Sequence, residues 1–403
     1  MNRIRRLARS FVRLIKLVVQ ELGIATVKLL RGHHLEARAH SRAALQILHE
    51  DLASIATLCC VARQNKARDE SPRILIIKLD RVGDMVNTTP VFDVLRSRFP
   101  NASIDVCGHP VVLTLLEGDP RIQGRFSYIS ALYHDVPIGI PGVAHWKLIR
   151  QLWRTRYHTV VYLRGSFPFL LLAFQSRFYL SKFVEGEPVI HRYLKAIDCE
   201  TRDGEVAPAP SLNISTLSKR KVAQLFPKRL NQPRVIIHAV SAAEGKQWPL
   251  ERFARVADEL VARVAAEVLF LAAPSERDKL DVIKACCSQS HLFVTELRLP
   301  EVVAAISDAD FFIGNDSGLA HIAAAVRTPE LVIWGAANLS MARPVASPEN
   351  CEILFREVSC RATCNEERCT SVNYIKCLEM IGVSEVVDSA IRQLRKFERG
   401  GAP

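Results

Sequence analysis

The chain of 403 residues has no apolar run long enough to cross a bilayer. Its longest run, around residues 165–176 (GSFPFLLLAFQS), falls well short of the ~20 residues a spanning helix needs, and Arg164 and Arg177 flank it. The N-terminus is basic, but Arg13, Lys16 and Glu21 interrupt its apolar positions and no small-residue cleavage site follows. Neither a signal peptide nor a transmembrane helix is therefore expected. Without export the chain is expected in the cytoplasm, with its 11 cysteines reduced. Aromatic residues are scarce, at 7%, and no basic stripe interleaves with them, so nucleic acid is not an expected partner. GxGxxG, Walker A and HExxH patterns are all missing, which argues against a conventional NAD enzyme, a P-loop NTPase and a zincin. Internal repeats and low-complexity tracts are missing too.

What is present fits a globular chain of two domains. Apolar residues make up 49% and charged residues 24%, and the length suffices for two cores. The net charge of +12 is unevenly placed: residues 1–70 hold 13 Lys/Arg against 6 Asp/Glu. Within residues 1–35, Ile4, Leu7, Phe11, Leu14, Ile15, Val18 and Leu22 recur at helical spacing among Arg3, Arg5, Arg6, Arg9, Arg13 and Lys16. Such a basic amphipathic helix either lies on an anionic membrane or packs on the body of the protein with a solvated charged face. A second helix is expected over His40 to Ala62, then a polar linker, RQNKARDESP, over 63–72. The expected organisation is a helical extension over 1–70, an α/β domain over 72–228, a second over 229–385 that includes a cysteine-rich segment at 351–377, and a helix and tail over 386–403.

From Arg73 onward strands alternate with helices: Ile74–Leu79, Thr89–Phe99 and Ile104–Val106, with apolar runs at Thr159–Leu163 and near Val189. A second series begins at 234–240 (RVIIHAV). It continues through a helix at Leu250–Val264, a strand at Glu267–Leu271, a helix at Ser275–Cys287, a strand at Phe311–Ile313, a helix from Ser317, a strand at Leu331–Trp334 and a last helix at Ser384–Phe397. This alternation predicts doubly wound domains with parallel sheets.

Two segments carry the strongest functional signal. Residues 74–90 (ILIIKLDRVGDMVNTTP) and 310–325 (DFFIGNDSGLAHIAAA) each read as strand, Gly/Asp turn and helix start. A helix start aims unpaired N–H groups and a positive dipole end at an anion. In the first, Gly83 is read as allowing a sharp turn through positive φ. Asp84 then either caps its helix or takes a proton from an incoming hydroxyl. In the second, Gly314, Asp316, Ser317 and Gly318 cluster at a turn whose N–H groups would face a pyrophosphate. His321, one helical turn on, either reaches that ligand or is a core histidine. Lys246, in residues 238–253 (HAVSAAEGKQWPLERF), is either a counter-charge to a leaving diphosphate or a solvated lysine. Glu276 either accepts ribose hydroxyls or favours its own helix N-terminus.

Together these segments resemble glycosyltransferase family 9, the lipopolysaccharide heptosyltransferase family. The likeness runs from about residue 73 to 390. It rests on ILIIKL…GD…TP at 74–90, on Lys246, Trp248 and Pro249, and on DSGLAHIAAA at 316–325. It implies a GT-B fold of two Rossmann-like domains facing a cleft. It implies inverting, metal-independent transfer of a sugar, heptose from ADP-heptose above all, to a lipopolysaccharide or other envelope glycan. On this likeness Asp84 is the general base. Lys246, Asp316, Ser317, Gly318, His321 and Gly335 bind the donor, with Gly83 and Gly314 shaping the turns and Glu276 near the nucleoside. The segment GAANLS at 335–340 departs from the family's G-P-T-D-P, and VNTTP at 86–90 departs from its His-Thr-Leu-Pro. A lipid-linked acceptor would place the enzyme peripherally on the inner face of the cytoplasmic membrane. The alternatives are a GT-B-shaped sugar-nucleotide epimerase and a non-catalytic binding protein on a decayed GT-B scaffold.

Cys360, Cys364, Cys369 and Cys377 form C-x3-C-x4-C-x7-C. They are either four thiolates for a structural zinc ion, looser than a zinc ribbon, or reduced buried thiols.

Overall fold

The computed structural model describes residues 71–129, 143–164, 172, 176–181, 186–199, 208–229, 231–241, 243–361, 364, 369 and 374–400. The expected basic helix at 1–35, the helix at 40–62 and most of the 165–176 run lie outside them.

Two parallel sheets carry the fold. The first has the order β3-β2-β1-β4-β5, with β1 at Arg73–Lys78, β2 at Ser103–Gly108, β3 at Gly124–Ser127, β4 at Thr159–Arg164 and β5 at Arg177–Leu180. The second has the order β11-β10-β9-β6-β7-β8, with β6 at Arg234–His238, β7 at Glu267–Leu271, β8 at Leu292–Val294, β9 at Phe311–Asn315, β10 at Glu330–Ile333 and β11 at Cys351–Leu354. The central strands β1 and β6 pair in parallel on both sides. That is why their sequences, ILII and VII, are continuously apolar: both faces are covered.

Among the helices, α1 (Val82–Val86) and α2 (Thr89–Arg98) follow β1, and α3 (Val143–Thr155) precedes β4. Next come α4 (Val189–Ala196), α5 (Thr216–Leu225), α6 (Leu250–Val264), α7 (Arg277–Cys286), α8 (Leu299–Asp308), α9 (Gly318–Ala325) and α10 (Val383–Gly400). One face of the first sheet, through Leu75, Ile77, Cys107 and Val160, is closed by Ile149 and Leu152 of α3. Each such fully buried side chain contributes about 1.5–3 kcal/mol. The opposite face, through Ile74, Ile76, Ile104 and Val106, joins a cluster that continues into the second sheet through Ile236, Phe312 and Val332. The outer face of the second sheet is covered by Phe253, Ala257 and Leu260 of α6, Leu280 and Ile283 of α7, and Val387 and Ile391 of α10.

The two halves are also tied by charge. Arg298 at the start of α8 lies 2.9 Å from Glu117, and Lys221 of α5 lies 2.7 Å from the buried Glu301.

Several elements differ from the sequence reading. The apolar run near Val189, to which no element was assigned, is the helix α4. The short strands β3, β5, β8 and β11 were not expected, because three or four residues carry too little period to register. The helix α8 was also not expected, although Pro300 in its first turn and the Glu301 carboxylate, which accepts the Arg298 N–H at 2.8 Å, are start signals. Gly314 lies within β9 rather than at the turn after it.

Candidate active site

The carboxyl end of β1 holds a lysine inside an apolar strand. Lys78 is 1% exposed. A buried ammonium is stable only when paired, and Lys78 has three partners. Its Nζ lies 2.9 Å from Asp80 and 3.5 Å from Asp84, and it donates to the Tyr193 hydroxyl of α4. Tyr193 in turn donates to Asp84 Oδ1 at 3.3 Å. Arg164, at the end of β4, lies 3.5 Å from Asp80. Asp84 sits in the first turn of α1 with its side chain 35% exposed, so it is anchored from below and open above.

The two carboxyl groups respond differently. Burial is the largest influence on Asp84 and pushes its pKa up. Lys78, Arg164 and His321 together outweigh it, and the net shift is downward. For Asp80, burial and the Asp84 charge prevail over Lys78 and Arg164, and the net shift is upward. Asp84 is thus the more acidic member of the pair. Tyr193 is pushed well above its ordinary value by burial and by the two aspartates, so it remains a neutral donor.

The second half approaches from the carboxyl end of β9. Asp316 lies 2.9 Å from Lys246 Nζ. Ser317 is the N-cap of α9, makes no side-chain cap bond, and its buried Oγ has no hydrogen-bond partner among the described residues. His321, one turn along α9, is 8% exposed, and its Nδ1 likewise has no partner among the described residues. Burial lowers its pKa despite Asp316 and Asp84, so the ring is neutral near pH 7.

The helix starts α1 and α9 meet with almost nothing between them. A Cβ on Gly83 would lie 2.7 Å from His321 Cδ2, and one on Gly318 would lie 2.9 Å from Val82 Cβ. This corrects the reading of Gly83. It lies within the helix α1 and is not among the positive-φ glycines. Glycine serves there because the imidazole of the other domain takes the space.

The loop that carries Lys246 is held by backbone contacts. A Cβ on Gly335 would lie 2.2 Å from the Gly245 carbonyl, and Ala336 N–H donates to that carbonyl at 2.9 Å. Gln247 accepts from Ser241 N–H at 2.8 Å and donates to the Ala239 and Trp248 carbonyls, each at 2.7 Å. Asn315 accepts from Trp248 N–H at 3.1 Å and donates to the Ala239 carbonyl at 2.9 Å. In the departing segment 335–340, Asn338 caps the next turn by accepting from Ser340 N–H at 3.1 Å. Glu276 accepts from Ala273 N–H at 2.9 Å, closing its own turn at the edge of the second sheet.

The cysteine-rich segment adjoins this loop. Burial raises the pKa of Cys364, and the Cys377, Cys360 and Cys369 thiols in its neighbourhood raise it further, but among the described residues the four sulfurs do not close into a metal-sized group. Arg361 donates to the Gly335 carbonyl at 2.9 Å, and Tyr374 donates to Glu244. A second cluster, Asp258, Cys287 and His291, lies on the outer side of the second domain. Its Asp258 already accepts from Ser288 N–H, Ser288 Oγ, Gln289 N–H and His291, and so holds the turn that follows α7.

The structure therefore brings Asp84, His321, Asp316, Lys246 and Gly335 around one cleft, with Glu276 at its rim. The residues that the sequence reading missed are Lys78, Tyr193, Arg164, Gln247 and Asn315. Lys78 had a signal: a lysine in an otherwise continuous apolar strand must be paired. Two parallel α/β domains that face each other through the carboxyl ends of their strands define a GT-B enzyme.

A family model, glycosyltransferase family 9 (heptosyltransferase), matches residues 170–373. The chain belongs to this family and is a glycosyltransferase. It is 27% identical over 286 residues to lipopolysaccharide heptosyltransferase 3 of Escherichia coli, covering 65% of this chain and 83% of that one. It is 24% identical over 309 residues to lipooligosaccharide heptosyltransferase 2 of Haemophilus influenzae, covering 68% and 86%. Among solved structures it is similar to a glycosyl transferase family 9 protein of Veillonella parvula, with a TM-score of 0.68 and 18% identity over 82% of this chain and 99% of that one. The ADP-heptose lipopolysaccharide heptosyltransferase II of Escherichia coli gives 0.65 and 20% over 81% and 99%.

Proposed function

We propose that the chain transfers heptose from ADP-heptose to a lipopolysaccharide-type acceptor with inversion. The observation that carries this reading is a carboxylate held ionised on one domain that faces, across the His321 imidazole, a helix start on the other whose Asp316 is ion-paired to Lys246. The acceptor hydroxyl gives its proton to Asp84. Its oxygen bonds to the anomeric carbon from the face opposite the nucleotide. The bond from that carbon to the diphosphate oxygen breaks, and its electron pair leaves with ADP. Lys246 and the N–H groups that open α9 take up the developing charge. They fill the role a divalent ion takes in other transferases, so the reaction is metal-independent on this reading. The neutral His321 offers the same phosphates a hydrogen bond. Glu276 contacts the nucleoside.

The relatives, several of which carry heptosyltransferase names, support this choice of donor. Among solved neighbours, one is an Escherichia coli heptosyltransferase with ADP. The acceptor, an anionic envelope glycolipid, is expected at the inner face of the cytoplasmic membrane. Cys360, Cys364, Cys369 and Cys377 would have to draw together to hold a structural zinc ion, which would then brace Arg361 and Tyr374 against the donor loop.

A thermal-shift and transfer screen with ADP-, UDP-, GDP- and dTDP-sugars tests the reading. A donor at a hundred times its dissociation constant stabilises by about 2.7 kcal/mol. The shift is expected with ADP-heptose, with turnover that survives EDTA. A preference for a UDP-sugar, or strict magnesium dependence, would overturn it. Metal analysis of the purified chain tests the cysteine assignment, with about one zinc per chain expected.

A further inference from the structure

Helix α3 carries a feature that the transfer chemistry does not use. Its sequence, VAHWKLIRQLWRT, contains no acidic residue. Leu148, Ile149 and Leu152 face the sheet. At about 100° per residue, Trp153, Trp146, Arg150, Arg154, Lys147 and Gln151 succeed one another around the opposite side. Trp146 is 45% exposed and Trp153 39%, and the three cations are exposed as well. Among the described residues no carboxylate pairs with Lys147, Arg150 or Arg154. Arg156, exposed just past the helix, adds a fourth cation. A shallow pocket lies between Lys147, Arg150, Gln151, Arg154 and Thr155.

The helix is also suitably placed. It runs antiparallel to β4, so its first turn lies at the sheet edge that carries Lys78 and Asp84. The His145 ring packs there against Tyr128, just past the end of β3, with centroids 4.5 Å apart and the rings tilted at 42°.

Two exposed tryptophans beside a stripe of unpaired cations match the interfacial zone of an anionic bilayer. Indole rings settle at headgroup depth there, and Lys/Arg meet lipid phosphates. We propose that this face of α3 is where the protein lies on an anionic phospholipid surface, next to the acceptor side of the cleft. The inference rests on the proposed reading that the acceptor is lipid-linked, and it assigns the docking to a surface separate from residues 1–35.

The four tryptophans make a direct test, because Trp248 and Trp334 are fully buried and only Trp146 and Trp153 can meet lipid. The full chain is mixed with vesicles of phosphatidylglycerol and phosphatidylethanolamine, or of phosphatidylcholine alone. Flotation and tryptophan emission are then recorded with and without brominated lipid. A blue shift and bromine quenching are expected on the anionic vesicles only. R150E/R154E, with an unchanged melting temperature, is expected to bind about 25-fold more weakly or worse, at roughly fivefold per cation lost. W146F/W153F should lose the emission change. Equal flotation of R150E/R154E and the parent, or flotation with no emission change, overturns the inference and leaves residues 1–35 as the contact. Retention on RNA in place of vesicles overturns it too. Transfer to a soluble, delipidated acceptor should be the same in R150E/R154E and the parent. If transfer fails in the parent itself, the proposed function falls and the vesicle result still decides the docking surface.

Discussion

The two sides of the cleft are built by opposite means. The β1 side concentrates charge: Lys78, Asp80, Asp84 and Arg164 form a compact buried network around Tyr193. The β9 side removes side chains: Gly318 and Gly335 let backbones approach, and Gln247 and Asn315 lock the loop between them. A carboxylate that must accept a proton needs its ionisation and rotamer set by neighbours. A cradle for a diphosphate needs N–H groups and space, and any Cβ there would stand in the way.

Substitutions on the two sides should therefore fail in different ways. The largest effect is expected from Asp84→Asn, which keeps the shape and removes the proposed base. Turnover should fall about 10²–10⁴-fold while ADP binding, measured by calorimetry, stays near the parent value. Near-normal turnover would remove Asp84 from the mechanism. Lys246→Ala should do the reverse. Loss of a charge-assisted contact of about 1.5–3 kcal/mol should weaken ADP binding roughly 10–100-fold. If instead only turnover fell, the division of labour between the two sides would be wrong.

Gly83→Ala probes the contact between the sides. The new methyl would sit 2.7 Å from His321 Cδ2, an overpacking that costs about 1–3 kcal/mol. A lower melting temperature and a higher donor KM are expected. Gly382→Ala is the control, because a Cβ there meets nothing within 4 Å. Equal effects of the two would show that the α1–α9 contact is not tight in solution.

The smallest effect concerns pH. Burial holds the folded pKa of His321 and His238 below the ordinary 6.5. Below that value the unfolded chain takes up protons that the native state refuses, so stability is complete above about 6.5 and declines as pH falls toward the folded pKa values. The buried Glu330, raised well above its ordinary 4.5, acts in the opposite sense as pH rises above that value. A difference measurement removes it. His321→Gln should show a smaller drop in melting temperature than the parent between about pH 7.5 and about 5.5. An identical drop would mean that His321 protonates freely in the fold.

Local pattern carried the architecture and half of the site. Continuous apolar strands, the helix α6 read at its observed bounds, and the GD and DSG segments were all legible, because each is encoded within about 20 residues. The likeness to family 9 used the same short segments, and it pointed to Asp84, Lys246 and the start of α9. The short edge strands β3, β5, β8 and β11 were not legible, since their pairing partners, not their own residues, define them. The role of Gly83 was misread for a related reason. Conformational freedom is a property of the residue, whereas the space beside it belongs to His321, which is 238 positions later in the chain. Lys78 and Tyr193, 115 residues apart, meet only because α4 packs beside β1. Sequence by itself determined which groups were available for chemistry. Tertiary structure decided which of the two aspartates after β1 is the more acidic, which glycines admit a neighbouring domain, and which cations on α3 stay outside, because burial and proximity arise only once the sheets have closed.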